Sequence, residues 1–428
     1  MARTSERITD RSAVRRLHDR LGFGPRAGDL DVGFDATLDR LLAPAAPVVP
    51  PELGAPPQQP ARDDREARKA ANKARVAQEK VLLSWWLDRM VAEPTAAERL
   101  TWFWHGHFAT SSQKVRSPQL MLAQNQTLRR HALGSFTDLA RAMVVDGAMI
   151  RWLDGNDNRK GSPNENLARE FLELFTLGIG HYTETDVFEG ARALTGWTVR
   201  RTSPQPRLVP ARHDAGSKTI FGRAGRYDAK GFADLALAQT ASAPYVAGRL
   251  WFRLVSPAPP SAAARRRLQQ AYGERRDVRA LVRAVATDPA FTDTASTLVK
   301  QPVEWAVGLL RALGVRPSAL DDMTRLRLAA GLRGMGQLPL RPPSVGGWPS
   351  GAGWLTTAAG VARLHVAQLV AKHADLRALE QGDRVDGVRA LLGVDAWSDR
   401  TRQALSGLRD PRQLAAVAAC APEYVVSG

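Results

Sequence analysis

His105 and His107 stand one residue apart in WFWHGHF (102–108), beside the large aromatic rings of Trp102, Phe103 and Trp104. Imidazole is a common metal ligand and carries protons near neutral pH. A His-x-His pair completed by carboxylates suits a divalent zinc, manganese or iron ion. On one continuous helix the two rings would point about 200° apart and could not share a metal. A helix ending near Gly106 would let them converge. Structural histidines, stacked or hydrogen-bonded, are the alternative.

Carboxylates to complete such a site lie in NENLAREFLELFTLGIG (164–180). At about 100° per residue, Arg169, Glu170 and Glu173 fall within roughly 60° of Asn166, while Leu167, Ala168, Phe171, Leu172, Leu174 and Phe175 fill nearly half the circumference. Asn164 and Glu165 are explained by capping and an acidic first turn. The remaining stripe, Asn166–Arg169–Glu170–Glu173, is expected to face the two histidines. An internal Arg–Glu–Asn network or a solvated face would use the same residues.

Three further stretches carry polar groups. HYTETDVFEGARALTGW (181–197) offers Thr183 as a helix cap, Glu184 and Asp186 in the first turn, a Glu189–Arg192 pair and then Trp197. HDAGSKTIFG (213–222) places His213, Asp214 and Lys218 in a loop, where binding groups concentrate. PPSVGGWPSGAGW (342–354) presents Trp348 and Trp354 on a Gly-rich loop, either as a binding lip or as a plug over a core. The resulting catalytic set is His105, His107, Glu170, Glu173, Arg169 and Asp186, with His105, His107 and Glu170 as metal ligands. Asn164, Asn166, Arg192, Trp197, His213, Asp214, Lys218 and Trp348 form the expected substrate-binding set. No serine nucleophile elbow, phosphate-binding Gly loop, dinucleotide fingerprint or His-Glu-x-x-His helix occurs.

The elements that must position these groups read as mostly helical. Residues 1–43 form an N-terminal helical segment of the main domain, whose first helix is stopped by Gly24-Pro25, and PAAPVVPPELGAPPQQP (44–60) is a Pro-rich linker, extended or looping over the surface. The main helical domain is 61–428. It begins with a charged helix that turns apolar at Trp85 and Trp86 and restarts at Glu93-Pro94-Thr95. Gly178 and Gly180 close the 164–176 helix. Residues 197–232 interrupt the helical pattern, with a small β-hairpin expected near 198–225, and 336–354 is a Gly/Pro/Trp loop. The expected fold is mainly α, one large multi-helix domain wrapped by long Pro/Gly-rich loops.

Composition bounds the function. The chain has 428 residues and a formal charge of +17, but only nine Lys among sixty basic residues and six Asn. High Arg with low Lys and Asn is the usage of a GC-rich genome, and the charge is scattered instead of forming one aromatic-interleaved patch, so nucleic-acid binding is disfavoured. One cysteine, Cys420, excludes an internal disulfide and a Cys-based zinc site. No run approaches the roughly 18–20 apolar residues of a membrane span. The polar start, MARTSERITDRSAVRRLHDR, lacks the apolar centre of a secretory signal, so the expectation is a cytoplasmic chain.

WFWHGHF, NENLAREFLELFTLGIGHYTETDVFEGARALTGW, HDAGSKTIFG and PPSVGGWPSGAGW, in this order, resemble the bacterial family catalogued as domain of unknown function 1800. The likeness extends from RRLHDRLGFGP to ACAPEYVVSG, essentially the whole chain. It implies a large, mainly helical bacterial protein and supplies no reaction. It also implies exported relatives encoded beside a sulfatase/phosphatase-like partner family, although this chain shows no export signal. The family's motif residues fall on most of the positions above, together with Thr183, Glu184 and Gly347. The functional expectation is a hydrolase with a His/Glu/Asp cleft, with or without a divalent metal. The alternative is a non-catalytic binding or assembly module whose polar motif is a buried structural network.

Overall fold

Helix Asp10–Leu21 starts at Thr9, whose side chain accepts the Ser12 N–H, and every residue from Ala13 to Leu21 is buried. Those residues include Arg15, Arg16, His18, Asp19 and Arg20, which a helix can bury only if each finds partners. Arg16 donates to the carbonyls of Asp293 and Gly428, at 2.8 and 3.1 Å. Arg20 donates to those of Leu254, Val255 and Ser427, at 3.2, 3.1 and 3.0 Å. The helix therefore runs through the centre of the molecule and ties distant parts of the chain together.

The structure, a computed structural model, describes residues 8–58, 60–61, 63–201 and 203–428. Among these it contains twenty-one α-helices and three two-stranded antiparallel sheets, which makes the fold mainly α. No helix of the described residues is long and apolar enough to cross a membrane.

Two hydrophobic cores lie on either side of helix Ala97–His107. One gathers Leu17, Leu100, Trp104, Phe136, Phe171, Phe175, Phe232 and Leu250. The other gathers Trp86, Trp102, Trp305, Leu332, Trp348, Trp354 and Val366. Burying each such side chain contributes about 1.5–3 kcal/mol. Helix Ala97–His107 sends Trp104 into the first core and Trp102 into the second, so it forms a wall between them and has no solvated face.

Residues 44–58 of the Pro-rich stretch cross helix Arg65–Ala92, held by Trp85 Nε1 on the Val49 carbonyl and Gln78 Nε2 on the Ala55 carbonyl. The interruption at 197–232 contains two hairpins. Trp197–Arg200 pairs with Ser203–Leu208, with an irregularity after Thr198, and Lys218–Ile220 pairs with Arg223–Gly225. A third sheet joins Leu298–Val299 to Val426–Ser427. The stretch that begins at Asn164 folds as α-helix over Asn166–Glu170 and as π-helix over Phe171–Thr176, and Gly178 and Gly180 then turn the chain at φ +87° and +83°.

Candidate functional site

Helix Ala97–His107 continues through Gly106, so the convergence expected of His105 and His107 does not occur. His105 faces the second core, where its ring lies 5.1 Å from Trp86 and 5.4 Å from Trp348 between centroids. His107 faces the first core, 4.9 Å from Phe108 and 6.3 Å from Tyr245. Burial pushes both imidazoles down to about 3, so both are neutral at pH 7. Their tautomers are opposite. The Leu340 N–H donates to His105 Nε2 at 3.1 Å, so the His105 proton sits on Nδ1. His107 Nε2 donates to the Phe175 carbonyl at 2.9 Å, which leaves Nδ1 as a bare lone pair. That Nδ1 is buried with no hydrogen-bond partner among the described residues.

The expected metal set of His105, His107 and Glu170 is therefore not assembled. A continuous helix separates the imidazoles, and among the described residues no group of three or more His, Cys, Asp or Glu side chains could hold a metal ion.

Loop 336–354 is a plug and not a lip. Leu340, at φ +67°, turns its N–H to His105 and its carbonyl to the Ser112 N–H at 2.8 Å. Gly347, at φ +84°, lies flat on Gly106, and a Cβ there would press into the Gly106 carbonyl oxygen. Trp348 is 6% exposed and stacks on Trp102 at 4.9 Å, so its indole is not an exposed substrate platform.

The stripe on the 164–176 helix is split. Arg169 forks onto Glu184 at 2.7 and 2.8 Å and onto Glu165 at 2.9 Å, which makes it a surface brace. Asn164 Oδ1 accepts the Asn166 N–H at 3.0 Å from one residue before the N-cap position, which Glu165 occupies without a side-chain cap bond. The Glu170 carboxyl is raised by burial and then by Glu173. Glu173 accepts from the Tyr182 hydroxyl and acts, after burial and Arg249, on the Tyr245 phenol. Tyr245 donates to the Leu174 carbonyl at 2.7 Å, beside the His107 bond to Phe175. The last carbonyls of the π-helical turn are thus capped by Tyr245 and His107, and π-turns often mark functional sites. Of the stripe, the structure relates only Glu173 to the His107 neighbourhood.

The downstream residues form a latch. Asp186 closes a reciprocal cap with Thr183 through Oδ2 and takes the Phe221 N–H on Oδ1 at 2.6 Å, so both its oxygens are occupied and it is not placed as a catalytic acid. Arg192 bridges Asp214 and Glu189, each at 2.8 Å. Lys218 is buried and donates to the Asp214 and Gly216 carbonyls at 2.6 and 3.0 Å. His213 Nδ1 donates to the Thr195 carbonyl at 2.9 Å, and Trp197 opens the first hairpin opposite Leu208. Asn158 was not singled out by the sequence. It holds the Ala191 carbonyl and the Asn164 N–H.

The sequence reading also missed the charged cleft beside His107. A cavity of about 230 Å³ is lined by Asp19, Arg99, Arg253, Lys300 and Glu304, with Pro257, Gly351 and Ala352 at its exposed rim. It shares Arg99, Arg253 and Gln301 with a small pocket of about 20 Å³ that holds His107, Trp348 and Arg249, room for one water. Each acid is matched to a base: Asp19 to Lys300 at 2.8 Å, and Glu304 to Arg99 at 2.6 Å. Arg253 and Arg249 remain. Arg253 is pushed down to about 10, chiefly by burial, and its hydrogen bond, to the Trp348 carbonyl, is long at 3.4 Å. Arg249 makes no hydrogen bond or ion pair among the described residues. The available signal was two arginines at i,i+4 in the otherwise apolar run RLWFRL.

A family model described as "Protein of unknown function (DUF1800)" matches residues 16–426. No curated protein and no solved structure matches the chain.

Proposed function

The chain belongs to that DUF1800 family, whose description assigns no activity, and from this premise we propose that the cleft between His107, Arg253 and Lys300 binds a small ligand through a carboxylate, sulfate or phosphate group. The observation that carries this reading is the pair Arg249–Arg253, one helical turn apart, neither of which has a carboxylate at ion-pair distance among the described residues, Glu304 acting on Arg253 from farther off while it pairs with Arg99. Guanidinium groups stripped of water and counterion are strong oxyanion binders. Calorimetric titration of sulfate, phosphate and citrate at fixed ionic strength tests it. Loss of one charge-assisted bond, about 1.5–3 kcal/mol, weakens binding roughly 10- to 100-fold in Arg249→Gln and Arg253→Gln. Equal affinity in wild type and both variants would sink the reading.

Hydrolysis of the bound ligand is the second reading, favoured by His107. Its Nε2 is held by Phe175, its buried Nδ1 has no hydrogen-bond partner among the described residues, and the residue lines the pocket that contains Arg249. A neutral imidazole so fixed can orient, as a hydrogen-bond acceptor, a water attacking an anchored ester. Glu173 stands behind Tyr245 as the acid of that neighbourhood, with Glu170 next to it. Turnover of nitrophenyl phosphate, sulfate and acetate is the assay. The hydrolase reading requires activity that His107→Asn abolishes while oxyanion binding persists. The sulfatase/phosphatase-like partner implied by the resemblance would handle the same oxyanion chemistry, and co-purification of the two chains tests it.

A further inference from the structure

A second concentration of arginine lies at the corner where the Pro-rich stretch, helix Arg65–Ala92 and the first hairpin meet helix Pro118–Arg130. A pocket of about 410 Å³ is lined there by Arg75, Arg116, Ser117, Gln119 and Arg201, and among the described residues no Asp or Glu lines it. Arg151 stands behind it, close enough that it, Arg116 and Arg75 all hold the Arg201 guanidinium below its usual range, after the larger effect of burial. Arg75 is partly neutralised by Glu79, which it shares with Arg341. Arg116, Arg151 and Arg201 have no hydrogen bond or ion pair from their side chains among the described residues. Two of the atoms concerned, the Nε of Arg201 and the Nε of Arg151, are buried as well as unpartnered.

Such an arrangement is costly in an isolated protein. Like charges repel, and a buried guanidinium N–H without an acceptor forfeits its hydration. The backbone adds to the tension, since Arg116 is held at φ +51°. Helix Pro118–Arg130 also starts here, with Ser117 as its cap and a proline in its first turn, so its positive end adds to the field of the arginines.

We infer that this pocket is a binding site for an oligoanion carrying two or more adjacent phosphate or sulfate groups. Several guanidinium groups with no facing acid call for more charge than one monoanion brings, and a pocket of this volume admits a pyrophosphate or a sulfated sugar. The site is independent of the oxyanion cleft beside His107, which it shares no lining residue with.

The test is calorimetric titration of the full chain at constant ionic strength, with pyrophosphate and a disulfated disaccharide as separate probes. One of them binds saturably, with a dissociation constant below about 1 mM. Whichever binds more tightly identifies the ester class. Arg201→Gln weakens that binding by about 10-fold or more, and so does Arg116→Gln, whose exposed side chain can be changed without disturbing a core. Arg249→Gln leaves it within about twofold. Three results would overturn the inference: no saturable binding of either probe, unchanged affinity in both pocket variants, or a loss confined to Arg249→Gln.

Discussion

Gly347 rests on Gly106 so closely that no side chain fits between the two residues, and the Trp348 ring lies within 3.9 Å of the place where a Gly106 Cβ would be. This contact sets the height at which loop 336–354 sits above helix Ala97–His107. It therefore fixes where Trp348 offers its carbonyl to Arg253 and where Leu340 offers its N–H to His105. Gly347→Ala meets both the steric block and the φ of +84°. The expected cost is about 2–4 kcal/mol, read as a lower urea midpoint with a red-shifted tryptophan emission. An unchanged midpoint would mean the loop is not seated as described.

Acid should unfold the protein early. Burial depresses His105 and His107 to about 3 and His18 to about 4. A base whose folded pKa lies below its unfolded value, about 6.5, contributes stability that is complete above 6.5 and lost as pH falls toward the folded pKa. Three such groups give a slope of up to about 4 kcal/mol per pH unit between pH 6 and 4. Urea titrations at half-unit pH steps measure it, and uptake of less than one proton on unfolding would contradict the neutral burial of these rings.

Asp146 carries the opposite sign. It caps helix Gly147–Trp152 through the Met149 N–H and takes Gln124 Nε2 at 2.7 Å, yet burial raises its carboxyl to about 6. A folded pKa above the unfolded value gives stability that is full below about 4 and lost as pH rises through about 6. Asp146→Asn keeps an oxygen for both donors and removes the buried charge. The variant is expected to be more stable than wild type at pH 7 by on the order of 2 kcal/mol, and to lose that advantage at pH 4. Thermal melts at the two pH values decide it.

The Asp19–Lys300 pair predicts an asymmetry. Both side chains are buried and 2.8 Å apart, and Arg15 supports the carboxylate from 3.7 Å. Lys300→Met strands a carboxylate held by Arg15 alone and costs about 3–5 kcal/mol. The double change Asp19→Leu with Lys300→Met is expected to recover at least half of that loss, measured as a double-mutant cycle in urea.

Helices, caps and hairpins were legible because their signals are local. Thr183, Gly178 and Gly180 do in the structure what their types announce. The direction in which a helix points its residues was legible too, as the angular separation of His105 from His107 shows. What each face meets was not. A helix buried on every side has no polar face to orient it, so nothing local told His105 from His107 or Trp348 the plug from Trp348 the lip. The charged cleft was missed for a related reason. In a chain with arginine in every segment, the arginines of RLWFRL and RRLHDR look like background, and only tertiary structure shows which ones lack an acid and which are spent on carbonyls.

Helix Asp10–Leu21 has a consequence for the order of events in folding. Its Arg20 needs the Ser427 carbonyl, 407 residues away in sequence, its Arg15 needs the Glu423 carbonyl, and its Asp19 needs Lys300. None of these partners exists while the first half of the chain is being synthesised. A helix whose Arg15, Arg16 and Arg20 still lack their carbonyl partners gains nothing by entering a core early. It must wait, hydrated, until Val426–Ser427 pairs with Leu298–Val299, so a helix made well before its partners is among the last to be buried. Contacts of such sequence separation fold slowly, and the final locking step should be visible as a slow phase that Arg20→Met removes or alters.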